Sequence, residues 1–165
     1  MARAPAQGGS MTTPITVRAI TTATPAEARA AFTDTAIIPQ WNFAWEAWHC
    51  PEASSDLRTG GAFSYTMAAR DGSMSFAYEG TWDVVEEGRL VQRLGDGRRV
   101  EITFTATDLG TEITETFDPD RDAPRAMQEA GWQAILNRFA DVASTISADT
   151  ATSKHAGALP TDPDA

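Results

Sequence analysis

The sequence predicts a single α+β domain, in which one long helix covers the apolar face of an antiparallel sheet. Between residues 57 and 117, apolar side chains recur at every second position and turn signals separate the segments, as in consecutive antiparallel strands. Between residues 124 and 146, apolar side chains recur at every third or fourth position, as on one face of a helix. A chain of 165 residues suits one hydrophobic core, so a single domain accounts for both patterns.

The part of the chain before the sheet predicts one strand and two short helical segments. Residues 15–22 are rich in β-branched side chains, which favour a strand. Thr24 and Glu27 have the spacing of a capping box, which predicts a helix over residues 25–33. Residues 34–40 predict a further helical turn, which a proline limits.

The sheet is predicted as a meander of five strands, which together with the first strand makes about six. Asp-Gly pairs at residues 71–72 and 96–97 are strong hairpin signals. The polar segment at residues 51–56 begins with a proline and predicts a loop. The strands of the meander are predicted at residues 57–70, 73–84, 89–94, 100–106 and 111–117.

The apolar spacing also sets the predicted domain limits. The helical pattern ends at Ile146, and the polar residues after it cannot bury enough apolar surface to become ordered. We therefore expect a flexible extension at 1–13, one domain at 14–146 and a disordered tail at 147–165. The apolar face of the helix consists of Met127, Gly131, Ile135, Phe139, Val142 and Ile146.

Composition excludes several classes of function. The net charge is −10 and Lys and Arg form no cluster, so we expect no nucleic-acid partner. No apolar run approaches the roughly 18 residues of a membrane span, so we expect no membrane insertion. One cysteine and two histidines do not support a metal site, and no phosphate-binding or dinucleotide-binding motif predicts a cofactor. The unpaired Cys50 and the lack of an apolar signal segment favour the cytoplasm.

Three tryptophans, Trp41, Trp45 and Trp48, lie in a segment with few signs of regular structure. A single helix cannot fill the concave face of a twisted sheet, so large side chains either pack the remaining space or line a cavity there. The tryptophans therefore either cap the core or form a lid that faces a ligand. His49 and Cys50 do not form a nucleophile and base, because adjacent side chains of an extended segment point to opposite sides.

Glu115 is the most informative carboxylate in the sequence. It shares the parity of Ile113 and Phe117 along a predicted strand, so its side chain is expected to point inward. An unpaired carboxylate in an apolar interior costs several kcal/mol or takes up a proton. Glu115 is then either a polar group for a ligand, or a general base, or one half of a structural pair. The partners in a structural pair would be Arg93, Arg99, Tyr65 or Tyr78.

Together, these segments resemble the START-like helix-grip superfamily, and within it the bacterial branch named after the activator of Hsp-90 ATPase. The resemblance extends from Ile15 to Val142. It is carried by the tryptophan-rich segment at 41–50, a glycine-rich stretch "DLRTGGAF" at 56–63, and "MQEAGWQAILNRF" at 127–139. It is also carried by "DGRRVEITF" and "GTEITETFD", which lie on the predicted strands between them.

The resemblance implies a helix-grip fold, a curved antiparallel sheet of about six strands around a long C-terminal helix, with an apolar pocket between them. It implies binding of a small hydrophobic ligand of the lipid, polyketide or aromatic class. The alternatives are a cyclase or dehydratase that uses Glu115, and a regulator that binds the Hsp-90 chaperone. The residues expected to contact the ligand are Trp45, Trp48, Phe63, Tyr65, Phe76, Tyr78, Phe104, Glu115, Ile135 and Phe139.

Overall fold

Seven strands and three helices are present in residues 13–157, the part of the chain that the computed structural model describes. Of the predicted flexible extension and tail, residues 1–12 and 158–165 lie outside the described residues. In chain order, the elements are β1 Ile15–Thr21, α1 Pro25–Thr33, α2 Ile38–Trp41, β2 Trp48–Ser55, β3 Ala62–Ala69, β4 Ser75–Val85, β5 Arg89–Leu94, β6 Arg99–Thr107, β7 Gly110–Phe117 and α3 Arg125–Gly157.

The strands form one curled antiparallel sheet in the order β1-β7-β6-β5-β4-β3-β2. Consecutive strands from β2 to β7 are neighbours, as predicted for a meander. The first strand closes the other edge by pairing with the last, so that Ile15 lies opposite Phe117. Helix α3 crosses the concave face, which confirms the predicted α+β helix-grip architecture.

Helix α1 begins at the capping box that the sequence predicts. The Thr24 hydroxyl accepts a hydrogen bond from the Glu27 backbone N–H at 3.2 Å, and Glu27 Oε1 accepts one from the Thr24 backbone N–H at 2.9 Å. Both bonds satisfy backbone groups that a helix start leaves without partners. The helix then presents Phe32 to the core.

The sheet has seven strands rather than about six, because residues predicted as a loop belong to strand β2. The interpretation of residues 51–56 as a loop was wrong for all but the last of them. Pro51 is tolerated because β2 is an edge strand and because its register with β3 shifts between His49 and Glu52. Proline lacks the N–H that a central strand needs, but an edge strand or a bulge does not require it.

Helix α3 continues past Ile146 to Gly157, through part of the segment predicted as a disordered tail. The apolar stripe does stop near Ile146, but no glycine or proline interrupts the chain between that residue and Gly157. Residues 148–152 are exposed, so the helix continues there without core contacts, over residues that tolerate a helix. Ser147 also contacts α1, since its hydroxyl lies 3.0 Å from Glu27 Oε1.

Four aromatic rings pack against one another at one end of the concave face. They belong to Phe32, Trp41, Phe104 and Phe139, and all four side chains are buried. The Phe139 ring makes edge contacts with Phe32 at 5.3 Å and with Trp41 at 5.1 Å. The Trp41 indole N–H donates to the Ala31 carbonyl at 3.2 Å, so that its polar atom is satisfied inside the protein. We call this cluster the packed end.

Candidate functional site

A cavity of about 280 Å³ lies between the sheet and helix α3, next to the packed end. Its wall contains six aromatic residues and six residues with polar or charged side chains. The lining residues are Phe32, Trp41, Asn42, Tyr65, Met67, Phe76, Tyr78, Gln92, Arg98, Glu115, Asp120, Ala123, Gln128, Trp132 and Ile135. A groove of about 300 Å³ adjoins the cavity and shares Met67, Phe76, Gln128, Trp132 and Ile135 with it.

The structure places seven of the ten predicted ligand residues at these two spaces. Tyr65, Tyr78 and Glu115 line the cavity, and Phe76 and Ile135 line both spaces. The remaining two, Trp45 and Trp48, line the adjoining groove. The predicted lid therefore lies at the adjoining groove, where Trp45 is about half exposed.

The other three predicted residues lie behind the cavity wall. Phe104 and Phe139 belong to the packed end. Phe63 is buried between strands, with ring contacts to Tyr65 at 5.3 Å and to Trp82 at 5.2 Å. The alternating pattern predicts which face of the sheet a side chain occupies. It does not predict whether helix α3 covers that point of the face.

Glu115 is buried and lacks the structural partners considered from the sequence. Its side chain is 6% exposed, and within residues 13–157 its Oε1 atom has no hydrogen-bond partner. The two arginines considered as partners pair elsewhere, Arg93 with Asp83 at 3.0 Å and Arg99 with Glu101 at 3.8 Å. Because no cation offsets the loss of hydration, burial raises the pKa of Glu115 to about 8.

The two tyrosines at the cavity differ in how their hydroxyl groups are satisfied. The Tyr78 hydroxyl donates to the Gln92 side-chain carbonyl at 2.7 Å. The buried Tyr65 hydroxyl has no partner among the described residues. Burial raises the pKa of both phenols above their ordinary value, so both are neutral at physiological pH. The cavity wall therefore contains two side chains, Tyr65 and Glu115, each with a buried oxygen that has no hydrogen-bond partner in the described chain.

Two side chains of helix α3 hold the segments that border the site. The Gln128 amide accepts from the Asp120 backbone N–H at 2.7 Å and donates to the carbonyls of Asp120 and Ala123 at 2.7 and 2.9 Å. Arg138 donates to the Phe43 carbonyl at 3.1 Å and to Glu46 at 3.0 Å. The loop before the helix and the tryptophan segment are thus both fixed to α3.

Sequence reasoning missed several lining residues, and some of them carried a signal. Met67 follows the parity of Phe63 and Tyr65, so the strand pattern alone could have identified it. Trp132, on helix α3, stacks on Phe117 with ring centroids 3.9 Å apart and also lines the cavity. Lining residues in loops, such as Asp120 and Ala123, carried no periodic signal. The other lining residues that were missed are Phe32, Trp41, Asn42, Gln92, Arg98 and Gln128.

The other chemical arrangements weighed from the sequence gain no support. Cys50 is buried, and burial raises its pKa, so its thiol is not activated as a nucleophile. Over residues 13–157, no group of His, Cys, Asp and Glu is arranged to hold a metal ion. No helix in the same range combines the length and apolar character needed to cross a membrane.

Comparison with known proteins identifies the family. A family model described as "Activator of Hsp90 ATPase homolog 1-like protein" matches residues 22–144. The chain belongs to this family. It is 36% identical to the AHSA1-like protein from Aeromonas hydrophila, whose solution structure has a TM-score of 0.75, with 81% of this chain and 93% of that one covered.

Further solved structures agree with this assignment. A protein from Cytophaga hutchinsonii is 36% identical, with a TM-score of 0.66 and coverage of 91% of this chain and 97% of that one. A protein from Chromobacterium violaceum is 20% identical and shares the fold, with a TM-score of 0.72 and coverage of 79% and 97%. No curated protein matches the chain.

Proposed function

We propose that this protein binds a small, mostly apolar molecule in the cavity between the sheet and helix α3. The observation that carries the proposal is a pair of buried polar groups, Glu115 Oε1 and the Tyr65 hydroxyl, which find no hydrogen-bond partner within the described chain. A buried polar atom without a partner costs about 1–3 kcal/mol, and a ligand that bonds to it removes that cost. Membership of a family that commonly binds hydrophobic ligands supports the same proposal.

The shape of the site indicates a compact ligand. A volume of about 280 Å³ is near the lower end of the range for small-molecule sites, which begins at roughly 300 Å³. Aromatic walls would supply most of the affinity, and the two polar groups would supply orientation. A larger ligand would extend into the adjoining groove, where Trp45 and Trp48 would cover it.

A neutral probe tests the proposal directly. tert-Butylbenzene should raise the melting temperature of the protein in a concentration-dependent manner, because a ligand that binds only the folded state stabilises it. Ile135→Phe places a ring in the cavity and should reduce this shift, measured against the melting temperature of the same variant without probe. Met127→Phe adds the same ring at an exposed position of the same helix and is the matched control.

The two variants separate binding at the cavity from binding elsewhere. A probe shift that is retained in Met127→Phe and reduced in Ile135→Phe supports the proposal. A probe that does not stabilise the wild-type protein, or that stabilises both variants equally, would contradict it.

Acid–base catalysis of the cyclase or dehydratase type is a second candidate. It is favoured by the pKa of Glu115, which lies near the pH at which a general base works best. A general base at this position should accelerate hydrogen–deuterium exchange at the α-carbon of phenylacetone, followed by NMR. Glu115→Gln should abolish the acceleration and still bind tert-butylbenzene. Exchange that is the same in both proteins would refute this candidate.

Regulation of a chaperone is the function that the family description suggests. It would use the outer surface of the protein, so Ile135→Phe and Glu115→Gln should leave any stimulation of Hsp90 ATPase intact. Loss of stimulation in these variants would instead connect the chaperone to the cavity.

A further inference from the structure

The charged groups at the cavity favour a cation over an anion. Glu115 is buried in the wall, and Asp120 lies in the loop that also lines it. Of the described residues that line the cavity, Arg98 alone carries a positive charge, and its guanidinium is engaged with Asp96 at 2.8 Å. An anionic ligand would therefore find no free positive partner at the Glu115 carboxyl group, in a protein whose net charge is −10.

The rings of the wall are also suited to a cation. Tyr65 and Tyr78 stack with ring centroids 6.0 Å apart, and Trp132 from helix α3 meets Tyr78 edge-on at 6.1 Å. The faces of such rings carry partial negative charge, which attracts an organic cation, and tryptophan and tyrosine do so more strongly than phenylalanine. Electron-rich rings beside one carboxyl group are a known arrangement for recognising ammonium groups.

We propose that the cavity selects an organic cation, an aryl or alkyl ammonium compound whose charged nitrogen lies at Glu115 and whose apolar body lies against Met67 and Ile135. This inference rests on the proposed function and specifies the chemical class of its ligand. The Tyr65 hydroxyl, which has no hydrogen-bond partner within residues 13–157, belongs to another side chain of the same cavity wall.

The ionisation of Glu115 makes this selection dependent on pH. At pH 7 a carboxyl group with a pKa of about 8 is mostly protonated. Because it must lose this proton to pair with a cation, the affinity at pH 7 is about tenfold lower than it would be for a fully ionised carboxylate. The other titratable and charged groups that line the cavity are Tyr65, Tyr78, Arg98 and Asp120, and both tyrosines stay neutral in this pH range. Affinity for a permanent cation should therefore rise about tenfold from pH 6 to pH 7 and level off above pH 8.

Three probes of equal size and similar shape test the inference by titration calorimetry. Phenyltrimethylammonium carries a positive charge, tert-butylbenzene is its neutral isostere, and benzenesulfonate carries a negative charge. At pH 8 we expect the cation to bind at least about tenfold more tightly than the neutral probe, and the anion to bind most weakly. At pH 7 the cation should release close to one proton, detected in buffers with different heats of ionisation.

Two variants of strand β7 make the test specific. Glu115→Gln removes the carboxyl group from the cavity, and Glu112→Gln removes the same charge from the opposite face of the strand. Glu115→Gln should lose the preference for the cation and still bind tert-butylbenzene, which shows that the variant is folded. Glu112→Gln should behave as the wild-type protein does.

The outcomes separate this inference from the proposed function. The inference is overturned if the wild-type protein binds tert-butylbenzene as tightly as the cation, or if the two variants bind the cation equally well. Either result leaves the proposed function standing. Failure of all three probes to bind overturns both.

Discussion

The two ends of the concave face differ in how completely side chains fill the space beneath helix α3. At the packed end, the rings of Phe32, Trp41 and Phe139 fill the space beneath helix α3, and the Trp41 indole N–H finds the Ala31 carbonyl. At the other end, which we call the hollow end, Tyr65, Tyr78, Glu115 and Trp132 surround a cavity. There, two buried polar atoms have no partner in the described part of the chain.

The difference separates stability from function. The packed end has the features of an interior selected for stability, namely close ring contacts and satisfied polar atoms. The hollow end keeps a cavity and a carboxyl group whose burial destabilises the folded state. Groups that reduce stability without a structural benefit are expected where a protein uses them for another purpose.

The largest expected effect comes from truncating a side chain at each end. Phe139→Ala should lower the free energy of unfolding by about 4 kcal/mol, because it opens a new cavity where the fully buried ring contacts Phe32 and Trp41. Ile135→Ala should cost only about 1–2 kcal/mol, because this half-buried side chain already borders a cavity. Urea denaturation measures both values. Equal losses would contradict the distinction between the two ends.

The next largest effect concerns the pH dependence of stability. Between the ordinary glutamate pKa of about 4.3 in the unfolded chain and about 8 in the folded one, only the unfolded chain gives up the proton. The fold is therefore most stable at a pH below about 4.3, where Glu115 is protonated in both states. Its stability falls as the pH rises towards 8, the folded-state pKa of Glu115, and changes little above it. Relative to Glu115→Gln, the wild-type protein should lose roughly 3–4 kcal/mol between pH 5 and pH 8.

Urea denaturation of both proteins across this pH range makes the comparison. Glu112→Gln is the control, since its side chain lies on the other face of strand β7. Parallel stability curves for the wild-type protein and Glu115→Gln would show that Glu115 titrates normally.

A smaller and more selective effect should distinguish the two tyrosines of the hollow end. Tyr78→Phe removes the donor that satisfies Gln92 and should cost about 1 kcal/mol. Tyr65→Phe removes a hydroxyl that is unpaired in the described structure and should be neutral or stabilising by up to about 1 kcal/mol. Thermal denaturation without ligand measures both. A larger loss in Tyr65→Phe than in Tyr78→Phe would show that the Tyr65 hydroxyl is paired in solution.

Most of the fold could be predicted because its signals are local. The capping box at Thr24 and the Asp-Gly turns specify their own geometry, and the alternating apolar residues specify the inner face of each strand. Strand β2 was missed because it contains Pro51 and several polar residues, which a strand tolerates only at the edge of a sheet. The local sequence does not show that β2 lies at an edge.

The site could be predicted only in part, because a cavity depends on several elements at once. The parity of Glu115 correctly predicted an inward side chain. Arg93 pairs with Asp83 of the neighbouring strand β4, and this cross-strand register is not specified by parity. Arg99 pairs with Glu101, two residues further along its own strand β6. The placement of Phe104 behind the wall likewise depends on α1 and α3 together.

The central claim is that a small apolar molecule enters the hollow end and not the packed end. Titration of tert-butylbenzene, followed through the methyl resonances of labelled protein, tests this claim most directly. We predict saturable shifts for the methyl groups of Met67 and Ile135, which line the cavity, and none for those of Leu90, which is fully buried and does not line it. Unchanged resonances at Met67 and Ile135, or equal shifts at all three residues, would contradict the account.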